Sequence, residues 1–581
     1  MAARSADTPF LRVPVGSEAH RWSTFPGERT LVVATRTLTS TIRALESLPA
    51  VLREDPRITV VFTHDPTSAF GDGALGLLHD AGCRVMPWEQ LSAVAPDLIL
   101  SASENIEVPG GDCPVLVLPH GIGFQKYVPD SRSPHSRLSG VAHASLLESG
   151  RAWTAVSHPD QERQLLAAHP KTAGRTLLVG DPCLDELLVS AHLRGRYRHA
   201  LGVREEQRLV LLSSTWGPTS LIGRHPELPA RLLAGLPWDE YRVALVLHPN
   251  VWSAHGSWHL RTLLARALDA GLLLVPPVHD WRPALVAADA VVGDHGSVTL
   301  YGAALGRPVA LAAYGQDAVP GTAGARLARL APRFDPERGP LRQVQHVLRA
   351  HAEDPGRYAP VATDAFDAPG TALARLRDAV YELLRLDPPP AAPQEPLALT
   401  PPDVPATAVA SWIVTTRART EDDGRSAVSV RRVPAAVAGE YGEDESEDES
   451  GGRFTHLAVR PDEERDLRLV ESASVLVGSS PAPTAGAARR WAHATLDRWP
   501  GGLLAATALS SGDRLVALRD GRAVLVSYED DHPADADPGA AAAVVYSRLR
   551  AGDAPDGGTV TLHVGDGHSG VRLRPAPSSP S

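Results

Sequence analysis

The chain has 581 residues, a formal net charge of −11, 43% hydrophobic and 22% charged residues. That length is too great for one core, so two or three domains of ordinary globular composition are expected. The negative charge excludes a general nucleic-acid binder, which needs a basic face, and gives no global attraction to anionic lipid.

Residues 1–28 read as a flexible leader, with neither the apolar centre nor the cleavage pattern of a signal peptide. Leu31–Ala34 reads as a strand, Thr39–Leu52 as a helix with Ile42, Leu45, Leu48 and Leu52 on one side, and Ile58–Phe62 as a second strand. Helix Gly73–Ala81, strands Arg84–Met86, Leu98–Leu100, Val115–Leu118 and Thr154–Val156, helix Pro159–Ala168 and strand Leu177–Val179 follow. Gly180-Asp181-Pro182 ends this series. A second series has strands Leu209–Leu212, Val243–Leu247, Leu272–Val275, Ala290–Val292 and Val309–Ala313, and helix Ala372–Leu386 closes it. Short apolar runs alternating with helical ones imply parallel sheets covered on both faces. The expectation is two α/β domains, 29–200 and 201–386, facing each other across a cleft.

Residues 387–404 form a proline-rich linker, expected to be semi-rigid and exposed and to isolate the α/β pair, so that a chain ending near Asp387 would fold. Residues 405–574 read as a small, largely antiparallel α+β domain without evident chemistry. Its strands are Ser411–Thr416, Ala427–Val433, Thr455–Val459, Ser474–Val477, Leu515–Leu518, Ala523–Tyr528 and Val560–Val564, with a helix at Thr484–Trp499. The acidic stretch 436–452 reads as a disordered insert and 575–581 as a disordered tail.

No stretch approaches the ~18 apolar residues of a membrane span, so at most peripheral membrane contact is expected. Cys83, Cys113 and Cys183 follow no metal or disulfide spacing and read as reduced thiols of a cytoplasmic protein. The two lysines, Lys126 and Lys171, do not follow glycine, which removes the phosphate-binding loop of nucleoside triphosphatases. His255 and His259 have an i, i+4 spacing but no evident third ligand, and neither a metal nor a cofactor is called for.

Three strand ends carry candidate chemistry. Gly293-Asp294-His295-Gly296-Ser297 is a polar turn between a strand and a helix, where open α/β sheets bind ligands and free helix N–H groups favour a phosphate. Every such turn also needs a glycine and a cap, which Asp294 or Ser297 would supply. His120 ends a first-domain strand, suits a general base, and is followed by Lys126. His248-Pro249 ends a second-domain strand in the same way, as a cleft residue or as a helix cap. Ser214, Thr215 and Trp216 follow another strand, where hydroxyls could meet phosphate and the indole could stack on a base or simply be buried.

LLSSTWG, LVLHPN and the stretch around VVGDHGSVTLYGAALGRPVALAAYG resemble, in this order, the nucleotide-binding half of CDP-glycerol glycerophosphotransferases, GT-B-fold enzymes of teichoic-acid synthesis. LPHGIGFQKY resembles their acceptor-side His-Gly motif, and LVGDPCLDEL a hinge segment shared with nucleotide-sugar 2-epimerases. The likeness spans residues 30–385 and implies a GT-B-like pair of Rossmann-like domains with an additional C-terminal domain. It implies catalytic roles for His120 and His248, and donor binding by Lys126, Ser214, Thr215, Trp216, Asp294, Gly296 and Ser297. The implied partners are a nucleotide diphosphate-linked small molecule and a polyol-phosphate or glycan acceptor, at a cytoplasmic site or peripherally at the inner membrane face. Where the family has Asp-Tyr-Ser-Ser in the turn, this chain has Asp294-His295-Gly296-Ser297, and where it has an acid in the next helix turn, this chain has Tyr301. A UDP-sugar glycosyltransferase or 2-epimerase, and a nucleotide-binding protein without turnover, are the alternatives.

Overall fold

The computed structural model describes residues 11–15, 19–21, 23–25, 27–129, 135–421, 424–441, 452–529 and 537–577. Seven parallel strands form the first sheet, in the order Val85–Met86, Ile58–His64, Arg29–Thr35, Leu98–Ser101, Val115–Val117, Ala152–Val156, Thr176–Leu178. The chain starts in the middle, winds to one edge, then returns beside its first strand, so the order reverses between Arg29–Thr35 and Leu98–Ser101. The second sheet repeats this plan with five parallel strands: Leu273–Val275, Tyr241–Leu247, Arg208–Ser214, Ala290–Gly293, Val309–Leu311. Its reversal lies between Arg208–Ser214 and Ala290–Gly293.

Alternation along one strand shows how these sheets are covered. Leu209 and Leu211 enter the core on one face, Val210 and Leu212 the core on the other. Successive side chains of a strand point to opposite faces, so a strand apolar throughout must be roofed twice.

The domain boundaries differ from the sequence expectation at both ends of the second domain. Helix Pro182–Val189 and helix Arg194–Ala200 lie before residue 201, yet Cys183, Leu184, Leu187 and Tyr197 pack into the second domain's core. Helix Ala372–Leu384, expected to close the second domain, instead lays Leu376, Val380, Tyr381 and Leu384 against Leu31, Leu48 and Leu100 of the first. The Tyr381 hydroxyl donates to Asp55 Oδ2 at 2.8 Å. An amphipathic stripe states that a helix has a sheet to cover, not which sheet. The chain therefore crosses between the domains twice.

Residues 387–404 contain no helix or strand, but they are pinned rather than free. Arg377 Nη1 donates to Ala391 O at 2.9 Å, Tyr197 Oη to Leu399 O at 2.7 Å, and the Asp403 N–H to Asp280 Oδ1 at 2.9 Å.

The C-terminal region combines helices with strands paired mostly antiparallel, and its strands close into a barrel, which the sequence did not indicate. Its nine strands run in the order Ser411–Thr420, Ser426–Pro434, Thr559–Val564, Gly567–Pro575, Ala523–Tyr528, Arg514–Leu518, Leu504–Ala508, Val475–Val477, Arg453–Val459, and the last pairs with the first. Helix Pro538–Ala551 lies against the inner faces, with every residue from Pro538 to Ser547 buried. Such a helix must be apolar all round, and the run of alanines at 540–543 lets strands approach it closely.

The barrel docks on the second domain, so the linker does not isolate the α/β pair. Arg432, 5% exposed, forms a buried ion pair with Asp239 (Nε–Oδ2 2.9 Å) and a second with Asp537. The Trp238 N–H donates to Arg432 O at 2.8 Å. Residues 436–441 of the expected acidic insert belong to helix Ala435–Tyr441, whose Val437 is fully buried in the second domain's core. Residues 442–451 of that insert, and 578–581 of the tail, lie outside the described residues.

Candidate functional site

The carboxyl ends of both parallel sheets open into one cleft of about 440 Å³. Its first-domain wall carries Glu104, His120 and Gly121; its second-domain wall carries Thr215, Trp216, His248, His295, Gly296 and Ser297. The first-wall residues follow Leu98–Ser101 and Val115–Val117, on one side of that sheet's reversal, and the second-wall residues follow strands on both sides of theirs, where adjacent loops part and leave a crevice. His120 and His248 thus share one cleft.

On the first wall, His120 keeps 33% of its side chain exposed, and its Nδ1 lies 3.8 Å from Glu104 Oε2. The other oxygen of Glu104 accepts from Arg137 Nη2 at 3.2 Å. Burial alone would raise the Glu104 carboxyl, but His120 and Arg137 together hold it below the usual carboxylate range. The loop carrying His120 is tied down from behind: Arg43 Nε donates to Pro119 O at 3.3 Å, and its Nη2 to Asp181 Oδ1 at 3.4 Å. The Tyr301 hydroxyl donates to Asp181 Oδ2 at 2.7 Å. Tyr301, buried at 2% exposure, is therefore satisfied by Asp181, in the segment that leads into helix Pro182–Val189.

On the second wall, helix Ser297–Ala304 begins after Gly296 with no side-chain cap. Its first-turn N–H groups are available to an anion. A Cβ placed on Gly121 would stand 3.0 Å from Ser297 Oγ, so the His120 loop lies directly against this helix start.

Several expected roles are corrected. Asp294 is fully buried and does not line the cleft. It is a staple: Oδ2 accepts from the Thr215 and Leu221 N–H groups at 2.9 and 2.8 Å, and Oδ1 from the Gly296 N–H at 2.9 Å. Neither Asp294 nor Ser297 is the helix cap, and the Gly296 N–H is not free for a pyrophosphate. Gly296 lines the cleft, but a Cβ there would meet Asp294 Oδ1 at 3.0 Å and Thr215 Cβ at 3.1 Å, which accounts for the glycine.

His248 caps its own helix, its Nδ1 accepting from the Asn250 N–H at 3.1 Å, so a neutral ring presents Nε2–H to the cleft. Enclosure by protein, reinforced by His120 and Lys126, pushes its pKa down to about 3. Lys126 lines the cleft as an interdomain tie: Nζ donates to Trp216 O at 3.0 Å, pairs with Asp317 Oδ2 at 3.2 Å and lies 4.9 Å from the Trp216 ring centroid. The same Asp317 oxygen is 3.2 Å from His295 Nε2. The Ser214 hydroxyl donates to Thr215 O at 3.0 Å and accepts from the Ile222 N–H at 3.1 Å. Trp216 is half-buried against Phe70, with ring centroids 5.5 Å apart.

His255 and His259 are exposed, and Gly256, with φ 71°, breaks the helix between them. A different group, His225, Glu227 and Glu337, has its ligand atoms within 4.8 Å of one another, away from the cleft, and Arg231 pairs with Glu337 at 2.8 Å. Among the described residues no helix is long and apolar enough to cross a membrane.

Sequence reasoning missed Glu104, Arg137, Arg43, Asp181 as a bridge, and Asp317. Glu104 had a signal: it stands three residues past the strand at Leu98–Ser101, in the position that singled out His120 on the neighbouring strand.

No protein-family model matches the chain, and no curated protein matches it in sequence. Among solved structures it is similar to the wall teichoic acid polymerase TagF, at 12% identity and a TM-score of 0.43, over 62% of this chain and 90% of that one. It is also similar to a putative UDP-N-acetylglucosamine 2-epimerase from Listeria monocytogenes, at 14% identity and a TM-score of 0.41, over 63% of this chain and all of that one (100%). The UDP-GlcNAc 2-epimerase from Neisseria meningitidis, bound to UDP-GlcNAc, is similar at 14% identity and a TM-score of 0.34, over 61% of this chain and 99% of that one.

Proposed function

We propose that the chain is a transferase of the CDP-glycerol glycerophosphotransferase type, moving a polyol phosphate from a nucleotide diphosphate donor to an acceptor hydroxyl. One observation carries the reading: a titratable histidine beside a buried carboxylate faces an uncapped helix N-terminus across a single interdomain cleft. In this reading the donor's pyrophosphate lies at the N–H groups that open helix Ser297–Ala304, where partial positive charge favours it. His120 accepts the proton of the acceptor hydroxyl as that oxygen bonds to the β-phosphorus. The bond from this phosphorus to the bridging oxygen breaks, and CMP leaves with the electron pair. His248, neutral with Nε2–H directed to the cleft, donates a hydrogen bond to a phosphoryl oxygen as charge moves. Localisation is proposed as cytoplasmic or peripheral at the inner membrane face.

Incubation with CDP-glycerol, followed by chromatography of nucleotides, should yield CMP. Release of UDP from UDP-sugars, or epimerised sugar without release, would move the assignment to the glycosyltransferase or 2-epimerase reading. Binding of nucleotides without any turnover would leave a binding protein.

A further inference from the structure

The geometry points to Glu104 as the residue that positions and charges His120, with Arg137 setting how much of that charge His120 receives. The inference deepens the proposed role of His120 and rests on it for the catalytic consequence, though not for the electrostatic one.

Glu104 is 7% exposed, and its two oxygens are divided between two elements. Oε1 accepts from Arg137, which lies on hairpin strand Ser136–Leu138. Oε2 faces His120 Nδ1 at 3.8 Å. The loop bearing Glu104 is itself braced, the Ser103 N–H donating to Ser101 Oγ at 3.1 Å. With Nδ1 turned to the carboxylate, Nε2 is the nitrogen of His120 left for a ligand in the cleft. A separation of 3.8 Å is attraction without a formed hydrogen bond, and such contacts at a catalytic base commonly tighten when substrate enters.

Among the described residues, Glu104 is the carboxylate paired with His120, with Arg137 behind it; Arg43, itself paired with Asp181, lies behind Pro119, Arg36 and Glu46 line the same cleft, and Lys126 and His248 stand on its far side. Burial would drive an isolated Glu104 towards its neutral form, and the Arg137 and His120 charges keep it ionised. The carboxylate stabilises the imidazolium that His120 becomes on taking a proton, and when the contact tightens to a hydrogen bond it selects the tautomer that has Nε2 free to take it. Glu104 touches no reacting atom; it acts through His120.

The test follows His120 by NMR titration of the full chain labelled at histidine Cε1, with the resonance assigned by its loss in His120→Gln. Glu104→Gln keeps the shape and a hydrogen-bond acceptor for Arg137 but removes the charge. Loss of that charge should move the His120 resonance's titration to lower pH. Arg137→Gln removes the opposing cation and should shift His120 the other way. In turnover, Glu104→Gln should lower kcat about 10- to 100-fold, leave donor KM nearly unchanged and move the acidic limb of the pH profile to lower pH. Equal His120 titration in wild type and both variants overturns the inference. So does a loss of kcat with no displacement of the limb, which is the mark of a merely structural carboxylate. If the titration shifts as stated but no nucleotide turns over even in the wild type, the transferase reading fails and the electrostatic assignment of Glu104 stands.

Discussion

Ser297→Asp separates the two walls of the cleft most directly. Ser297 opens the helix proposed to hold the pyrophosphate, and it lines the cleft. A carboxylate there would lie about 4 Å from a bound phosphate. At an effective dielectric constant of about 20, one such like-charge pair costs about 4 kcal/mol. At about 1.4 kcal/mol per decade, that weakens donor binding about a thousandfold. The same carboxylate favours the helix, since an acid in the first turn contributes about 0.3–1 kcal/mol. The melting temperature should therefore hold or rise while affinity collapses. Because the loop at Gly121 crowds Ser297, size must be controlled: Ser297→Asn has nearly the same volume and no charge. Calorimetric titration of CDP-glycerol into the wild type and both variants, with thermal melts, reads all of this. The reasoning is refuted if Asp and Asn weaken binding equally, or if Ser297→Asp binds as the wild type does.

Three further outcomes follow. His120→Ala should cut turnover about 10²–10⁴-fold and leave donor affinity nearly unchanged, measured by CMP release beside calorimetry; full turnover would remove the base assignment. Burial raises Glu186 to about 7, with Arg282 opposing and Glu46 adding. A raised carboxyl contributes stability that is complete below its unfolded value, about 4.5, and is lost as pH rises through about 7. Glu186→Gln should therefore flatten the pH dependence of urea unfolding between those values, by about 2 kcal/mol, less than the full shift because the side chain is 21% exposed. A chain ending near Asp387 would leave Asp239 buried without Arg432 and uncover Trp238 and the pocket for Val437; removing one partner of a buried pair costs about 3–5 kcal/mol. Such a chain should be insoluble or melt well below the full protein, and a soluble truncation with an unchanged melting temperature would show that the docking is weak.

The sequence determined what depends on neighbours along the chain. Short, β-branched apolar runs such as Val243–Leu247, recurring between helical stretches, read as strands roofed on both faces, and so the two parallel sheets were legible. Residues such as His120, His248 and Gly296 were placed at a sheet edge because each directly follows such a run. That both edges open into one cleft followed from pairing the two domains face to face. Tertiary structure decided the remainder, because it depends on which surfaces meet. Helix Ala372–Leu384 carries a stripe fit for either sheet, and packing against Leu31 and Leu48 assigned it to the first. The alanine run of Pro538–Ala551 has no periodicity to read, since a helix enclosed by a barrel buries every side and has no polar face to mark it. The resemblance implies a ligand role for Asp294, and local pattern a cap, whereas the fold converges three backbone N–H groups on it, which no local pattern marks. Glu104, Arg137 and His120 come from three separate segments, and no spacing along the chain foretells that two of them share one buried carboxylate. Charge pairing of that kind is set by distance in space, and the sequence encodes it only through the complete fold.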